Sequence, residues 1–165
     1  MQKTNFSTTR LVCQPLEEKD IRAFRQIAAE PHVQKFFHCG DPVDFLHGLE
    51  QYDCYPMGVY SASGSYLIGY INGYVYSKSE QELLVEFFLT EEFYNFDYVA
   101  ELLRGFAHHS QQLGFYTLRF ELEQDDEDVR HLLNMSFIPV HPIPEEYYTD
   151  EQSGKHIHVF KMVFW

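Results

Sequence analysis

The chain has 165 residues, of which 45% are hydrophobic, including 12 Tyr and 15 Phe. This length and composition predict one folded domain over residues 1–165 and argue against extensive disorder. The formal net charge of −13 argues against nucleic acid and anionic membranes as partners, because both attract basic surfaces.

The first half of the chain predicts a strand, three helical segments and a β-hairpin. In order, these elements are expected at residues 9–14, 16–28, 32–37, 43–50, 57–61 and 66–76. Pro31 ends the first helix, because its ring blocks the helical hydrogen bond. The last of these strands alternates in polarity, which places Tyr70 and Tyr74 on the same face.

The second half predicts a buried strand that leads into a long amphipathic helix. Its elements are expected at residues 83–89, 99–113, 116–122, 125–133, 137–140 and 156–164, with a loop at 142–156. Residues 93–98 are expected to form the turn before the long helix. A helix start leaves N–H groups without intrahelical partners, and such groups bind phosphates. The whole pattern predicts an α+β fold in which helices cover a mixed sheet.

The cysteine content predicts a protein of a reducing compartment. Cys13, Cys39 and Cys54 form no C-x-x-C pair, and their odd number argues against a disulfide framework. With no leader-like N-terminus and no apolar run of ~20 residues, we expect a cytoplasmic location. Residues 38–47 contain His, Cys and Asp side chains, but their spacing matches no closed zinc site, so no metal is expected.

Short motifs follow one another in a fixed order along the chain. It opens with Thr9-Arg10-Leu11, Pro15-Leu16 and Asp20, and continues with Pro31-His32-Val33, Ile68-Gly69, residues 91–101 and Met135-Ser136-Phe137. In order and spacing these segments resemble the GNAT acyltransferases of the RimJ/RimL-like branch. That branch reads T-x-R-L-x-x-x-P-L-x-x-x-D, D-P-x-V, P-E-Y-W-G-K-G-Y-A-T-E and L-G-F at the corresponding places.

The resemblance implies a GNAT-like mixed central β-sheet whose fourth and fifth strands splay apart. It also implies an enzyme that moves an acetyl group from acetyl-CoA, the co-substrate, to an amine. In this family the pantetheine arm pairs with the fourth strand, here Phe87, Phe88 and Leu89, and the pyrophosphate lies on the following turn. The remaining cofactor positions correspond to Tyr94, Asn95, Phe96, Asp97, Tyr98, Val99, Asp125 and Asp128.

The sequence departs from the family at the cofactor turn. The motif R/Q-x-x-G-x-G/A falls on residues 94–99, where the basic or amide residue and both small residues are absent. Asp97 brings a carboxylate toward two phosphate charges, and at ~5 Å and an effective dielectric of ~20 each pair would repel by about 3 kcal/mol. Two interpretations follow. Either backbone N–H groups still hold acetyl-CoA, or the protein is a catalytically silent binding or interaction module that has lost CoA and dimerises through exposed aromatic residues.

Glu86 is the leading candidate for a catalytic base. It interrupts the apolar fourth strand, where burial is expected to raise the pKa of its carboxyl group; the alternative is a paired charge at a sheet surface. His131 is a candidate proton shuttle or a residue at the edge of the core. Tyr70 and Tyr74 are candidates for lining the acceptor pocket, or they belong to the aromatic core.

The expected acceptor is a cationic amine. The negative net charge favours such a ligand, unless the acid serves only to keep an aromatic-rich protein in solution. A protein N-terminus, a polyamine and another small amine remain open as acceptors.

Overall fold

The computed structural model describes residues 1–35, 37, 39–63, 66–123 and 146–163. Within these residues the strands are β1 (Phe6–Ser7), β2 (Leu11–Gln14), β3 (Met57–Ser61), β4 (Leu67–Ser77), β5 (Glu82–Leu89), β6 (Thr117–Glu123), β7 (Glu146–Thr149) and β8 (His156–Val163). The α-helices are α1 (Ile21–Ala28), α2 (Pro31–Gln34), α3 (Pro42–Gly48) and α4 (Phe96–Gln112). Short 3-10 helices lie at Glu18–Asp20, Leu49–Gln51 and Glu91–Phe93.

The strands form one mixed sheet in the order β1-β2-β3-β4-β5-β6-β8-β7. Neighbouring strands are antiparallel except for β5 and β6, which are parallel. Parallel neighbours need a crossover connection, and α4 provides it. The predicted α+β architecture with a mixed sheet is therefore confirmed.

Helices cover the sheet on both faces. On one face α4 buries Val99, Leu102 and Phe106 in the larger apolar cluster, which includes Val85 and Phe87 of β5. On the other face, α1 and α2 build a second cluster around the residues Phe24, Ile27, Val33, Phe37, Tyr70 and Phe88. The alternation of side chains along β5 thus connects both cores to one strand.

The structure corrects several predicted boundaries. The helix α4 begins at Phe96, three residues before the predicted start at Val99, because Asn95 caps it. The short strand β1 was not predicted, and β7 lies within the predicted loop at 142–156, where it pairs with β8. The predicted helix at 125–133 and strand at 137–140 lie outside the described residues.

The cysteines are free thiols: Cys13 and Cys54 are buried and Cys39 is half-buried. In the part of the chain that the structure describes, no three His, Cys, Asp or Glu side chains are arranged to hold a metal ion. None of the described helices is both long enough and apolar enough to cross a bilayer.

Candidate active site

The parallel strands β5 and β6 separate soon after they begin. Pairing joins residues 82–84 to residues 117–119 and stops there. Beyond the last pair, a cavity of about 80 Å³ is lined by Phe37, Val85, Glu86, Phe87, Phe120, Glu121 and Leu122. We call this region the gap. The predicted splay of the fourth and fifth strands is confirmed, with these strands becoming β5 and β6 because β1 precedes them.

The pairing of β4 with β5 decides which backbone groups face the gap. Thr90 N donates to Ile68 O across these strands at 2.8 Å. In an antiparallel ladder only alternate residues hydrogen-bond to the partner strand. Phe88 lies two residues before Thr90, so its backbone also hydrogen-bonds to β4. The N–H and C=O groups of Phe87 and Leu89 therefore point away from β4, toward the gap. Phe88, predicted to bind cofactor, is therefore committed to the sheet and to the core.

Glu86 lies at the gap with its carboxyl group held by two tyrosines. The hydroxyls of Tyr74 and Tyr70 donate to Glu86 Oε1 at 2.7 and 3.2 Å. Burial raises the pKa of the Glu86 carboxyl group, and the hydrogen bonds from Tyr74 and Tyr70 offset part of that rise. Burial and the Glu86 charge also raise the pKa of both phenols, so their hydroxyls remain protonated and donate. The carboxyl group is thus oriented and has an increased proton affinity.

An aromatic cluster fills the space between α1 and the sheet next to Glu86. Phe24, Phe37, Tyr70 and Phe88 contact one another with ring centroids 4.8 to 6.4 Å apart. Tyr70 is fully buried there, so only its hydroxyl reaches the candidate site. Tyr74 is half-buried and is the more accessible of the two predicted acceptor-pocket residues.

The first turn of α4 offers fewer free N–H groups than predicted. The Asn95 side chain accepts a hydrogen bond from Tyr98 N at 3.3 Å, and Val99 N donates to Asn95 O at 3.0 Å. Among the described residues, no hydrogen-bond partner is found for the N–H groups of Phe96 and Asp97. The predicted row of amides for a diphosphate is therefore reduced to these two, because the cap and the helix use the others.

The charges around this helix start are mainly negative. Asp97 is exposed, as is Glu91 in the preceding 3-10 helix. Arg10 lies close by, with its guanidinium group 4.2 Å from the Tyr98 ring centroid. It is paired with Glu101 at 2.6 Å, however, so its charge is already matched. A phosphate at this helix start would be attracted by the positive end of the helix dipole but repelled by the acidic side chains around it.

The segment before α2 fixes the end of β5. The Glu30 carboxylate accepts hydrogen bonds from Thr90 Oγ1 at 2.5 Å and Glu91 N at 2.8 Å. His32 Nε2 lies 2.8 Å from Leu89 O. A carbonyl only accepts, so Nε2 carries the proton of the His32 ring. These contacts hold the turn between β5 and α4 in place.

Four predicted site residues remain, and three of them cannot be placed. His131, Asp125 and Asp128 lie outside the described residues. Tyr94 packs against His32 with ring centroids 5.0 Å apart, on the turn between β5 and α4.

Two residues next to the site were not assigned a role from the sequence. Asn72 lies opposite Glu86 on β4 and is fully buried. A polar residue between Ile71 and Gly73 in an apolar strand is the pattern that could have indicated it. Glu30 sits just before the motif Pro31-His32-Val33, but its contacts with the turn follow only from the tertiary structure.

No family model matches this chain, and no curated protein matches it in sequence. Its fold, in contrast, is similar to many solved structures. An acetyltransferase of the GNAT family from Bacillus anthracis is 13% identical, with a TM-score of 0.78, over 97% of this chain and 98% of that one.

Two further structures extend this similarity. RimL, the ribosomal L7/L12 α-N-protein acetyltransferase, is 9% identical with a TM-score of 0.78, over 99% of this chain and 96% of its own. The microcin C7 self-immunity acetyltransferase MccE, solved with acetyl-CoA and AMP, is 8% identical with a TM-score of 0.74, over 95% of this chain and 94% of that one. The chain therefore has the GNAT fold, as its motifs predicted.

Proposed function

We propose that this protein transfers an acetyl group from acetyl-CoA to a primary amine on a cationic molecule. The observation that carries the proposal is the gap between β5 and β6, where Glu86 lies beside backbone groups of β5 that face the opening. The similarity to solved GNAT structures supports the same reaction, since MccE was solved with acetyl-CoA and RimL is named for acetylation of a protein.

The two ends of acetyl-CoA fit this site differently. The gap suits the pantetheine arm, because the N–H and C=O groups of Phe87 and the N–H group of Leu89 can pair with its amides. The helix start suits the diphosphate only in part, through the N–H groups of Phe96 and Asp97. Binding would thus depend mainly on the gap.

The chain's own residues would carry the proton chemistry. Bound acetyl-CoA supplies an acetyl group activated as a thioester. Glu86 takes a proton from the incoming ammonium group at Oε2, since Oε1 already accepts from Tyr70 and Tyr74. The neutral amine then has the lone pair that forms the new C–N bond as the C–S bond breaks. The acylated nitrogen loses its extra proton, which balances the proton that the released thiolate takes up.

The class of acceptor follows from charge. The formal net charge of −13 and the carboxyl group of Glu86 both favour a cation, because an ammonium group is attracted before it is deprotonated. A protein N-terminus, a polyamine and another small amine all meet this requirement.

A silent binding module is the second candidate. The Asn95 cap on Tyr98 and the acidic side chains at the start of α4 favour it, because both weaken a diphosphate site. In that case the gap would persist without a cofactor.

Thermal melting with acetyl-CoA separates these candidates. A ligand at 100 times its dissociation constant stabilises a protein by about 2.7 kcal/mol. For a chain of this size, that corresponds to an increase in Tm of roughly 5 to 10 °C. An unchanged Tm at millimolar acetyl-CoA would contradict the transferase and leave the binding module. A shift should be followed by an assay for free CoA thiol with amines of each class.

A further inference from the structure

A second carboxylate, that of Glu121 on β6, lies across the gap from Glu86. Residues 82–84 of β5 pair with residues 117–119 of β6 at a constant offset. The same offset places Glu121 beside Glu86, where the two strands have separated. Both residues line the cavity of about 80 Å³. The cavity is large enough for a ligand group, because one water-sized group needs only about 10 to 15 Å³.

The two glutamates lie on the sheet face that α1 and α2 cover. Phe87 and Phe120, their neighbours along the strands, belong to the apolar cluster beneath α4. Successive side chains of a strand point to opposite faces, so Glu86 and Glu121 point to the other face. Phe37, which packs in the cluster of α1 and α2, also lines the cavity. The cavity thus adjoins the face on which Glu86 would meet an acceptor.

The Glu121 carboxylate is held in one orientation by two donors. Arg119 Nε donates to Oε1 at 2.8 Å, and the Tyr148 hydroxyl donates to Oε2 at 2.9 Å. Burial and the Glu121 charge raise the pKa of Tyr148 to about 12, so this hydroxyl remains protonated and donates. Glu86 is held instead by two tyrosines of β4. The two carboxyl groups therefore have separate partners and occupy separate positions.

The polar side chains of the cavity offer only hydrogen-bond acceptors. Among the described residues that line it, Glu86 and Glu121 alone have polar side chains. A carboxylate has about four lone-pair sites, and two of those on Glu121 are used by Arg119 and Tyr148. A ligand that fills the cavity is therefore expected to donate hydrogen bonds to both of its sides.

The charges around the cavity are compatible with a cation. One ion-paired group, with nitrogen–oxygen distances of 2.8 to 3.6 Å, contains two charges of each sign, on Glu82, Glu121, Arg119 and Lys161. Glu86 adds a carboxyl group for which no cationic partner is found among the described residues. Glu86 thus attracts the reacting ammonium group, and Glu121 has lone pairs left for a second donor.

We propose that Glu121 is a specificity-determining residue that accepts a hydrogen bond from a second donor group of the acceptor, while Glu86 receives the reacting ammonium group. This inference rests on the proposed transferase function. It favours short diamines and amino alcohols over plain alkylamines. Diamines should be the better of the two, because a hydrogen bond from an ammonium group to a carboxylate is stronger than one from a hydroxyl group.

The test compares acceptors that have the same number of heavy atoms. One set is 1,3-diaminopropane, 3-aminopropan-1-ol and butylamine, and the longer set is 1,4-diaminobutane, 4-aminobutan-1-ol and pentylamine. In at least one set, wild-type kcat/KM should be about tenfold higher for the diamine than for the monoamine, beyond the factor of about two that two equivalent amines give. Equal values in both sets, after that factor, would overturn the inference.

Glu121→Gln removes the charge and turns one acceptor oxygen into a donor. It should lose the preference for diamines and amino alcohols and leave kcat/KM for the monoamines near that of wild type. Glu121→Asp keeps the charge beside Arg119 but withdraws the carboxylate by one methylene group, and it is the second variant if Glu121→Gln does not fold. The exposed Glu80, changed to Gln, is the control and should keep the preference. A folded Glu121 variant with the wild-type preference would overturn the inference.

A second readout does not require acetyl transfer. Titration calorimetry without acetyl-CoA should show that wild type binds the diamine more tightly than the matched monoamine and that Glu121→Gln binds both alike. Absence of transfer to every amine would refute the proposed function and leave this calorimetry to decide the role of Glu121. Transfer to all amines at equal rates would support the proposed function and refute the role of Glu121.

Discussion

The gap and the start of α4 are neighbouring parts of one candidate site, yet they differ in how they are built. At the gap, the register between β4 and β5 points backbone N–H and C=O groups of β5 toward the opening, and Tyr70 and Tyr74 donate hydrogen bonds to Glu86. At the helix start, Asn95 occupies one amide and Asp97 adds a negative charge. Backbone geometry in a sheet tolerates many side chains, whereas a phosphate site at a helix end is sensitive to each of them.

Most of the catalytic contribution is expected from the gap, and the substitution Glu86→Gln should therefore have the largest effect on activity. A positioned general base contributes about 10²- to 10⁴-fold, so kcat/KM should fall by that factor. Since burial raises the pKa of Glu86, wild-type kcat/KM should rise with pH above the range where ordinary glutamates lose their proton.

Steady-state assays over a pH series provide both measurements for Glu86. The exposed Glu80, changed to Gln, is the matched control because it lies away from the gap. A Glu86→Gln enzyme with wild-type activity and an unchanged pH profile would remove Glu86 from the mechanism.

The charge at the helix start is the target of the second prediction. Asp97→Asn removes a carboxylate near the diphosphate and should tighten acetyl-CoA binding by about fivefold, or about 1 kcal/mol, at low salt. Asp97→Glu keeps the charge and should leave affinity near that of wild type. Asp97→Gly should tighten binding as well, at a cost of up to about 1 kcal/mol in helix stability.

Titration calorimetry at two salt concentrations measures the Asp97 effect. The gain should shrink at high salt, because screening weakens an exposed charge. Equal affinities for Asp97→Asn and wild type at low salt would mean that the diphosphate does not lie at this helix start.

Removing the Asn95 cap should have the smallest effect. Asn95→Gly frees the N–H group of Tyr98 for a phosphate, which is expected to add about 0.5 to 1 kcal/mol and so roughly two- to fivefold in affinity. Glycine at an N-cap costs only a few tenths of a kcal/mol in stability, so the helix should persist. Asn95→Asp keeps the cap and adds charge, and it should weaken binding. Titration calorimetry measures the acetyl-CoA affinity of both variants. Tighter binding by Asn95→Asp would contradict a diphosphate site at this helix start.

Parts of the site followed from the sequence because they depend on local patterns. The apolar run at 83–89 predicted a buried strand, and a single charge within it indicated Glu86. The alternation of residues 66–76 placed Tyr70 and Tyr74 together, and both reach Glu86 in the structure. The start of α4 was predicted three residues late, because the capping role of Asn95 depends on a single side-chain hydrogen bond.

The sequence by itself determined the α+β architecture, the order of its main elements and the acidic character of the cofactor turn, since periodicity and composition are local properties. Only the tertiary structure decided which amides of β5 face the gap, that Tyr70 and Tyr74 both donate to Oε1 of Glu86 and that Asn72 lies opposite Glu86. Those facts depend on the register between strands that are distant along the chain. A shift of one residue in that register would reverse every one of them.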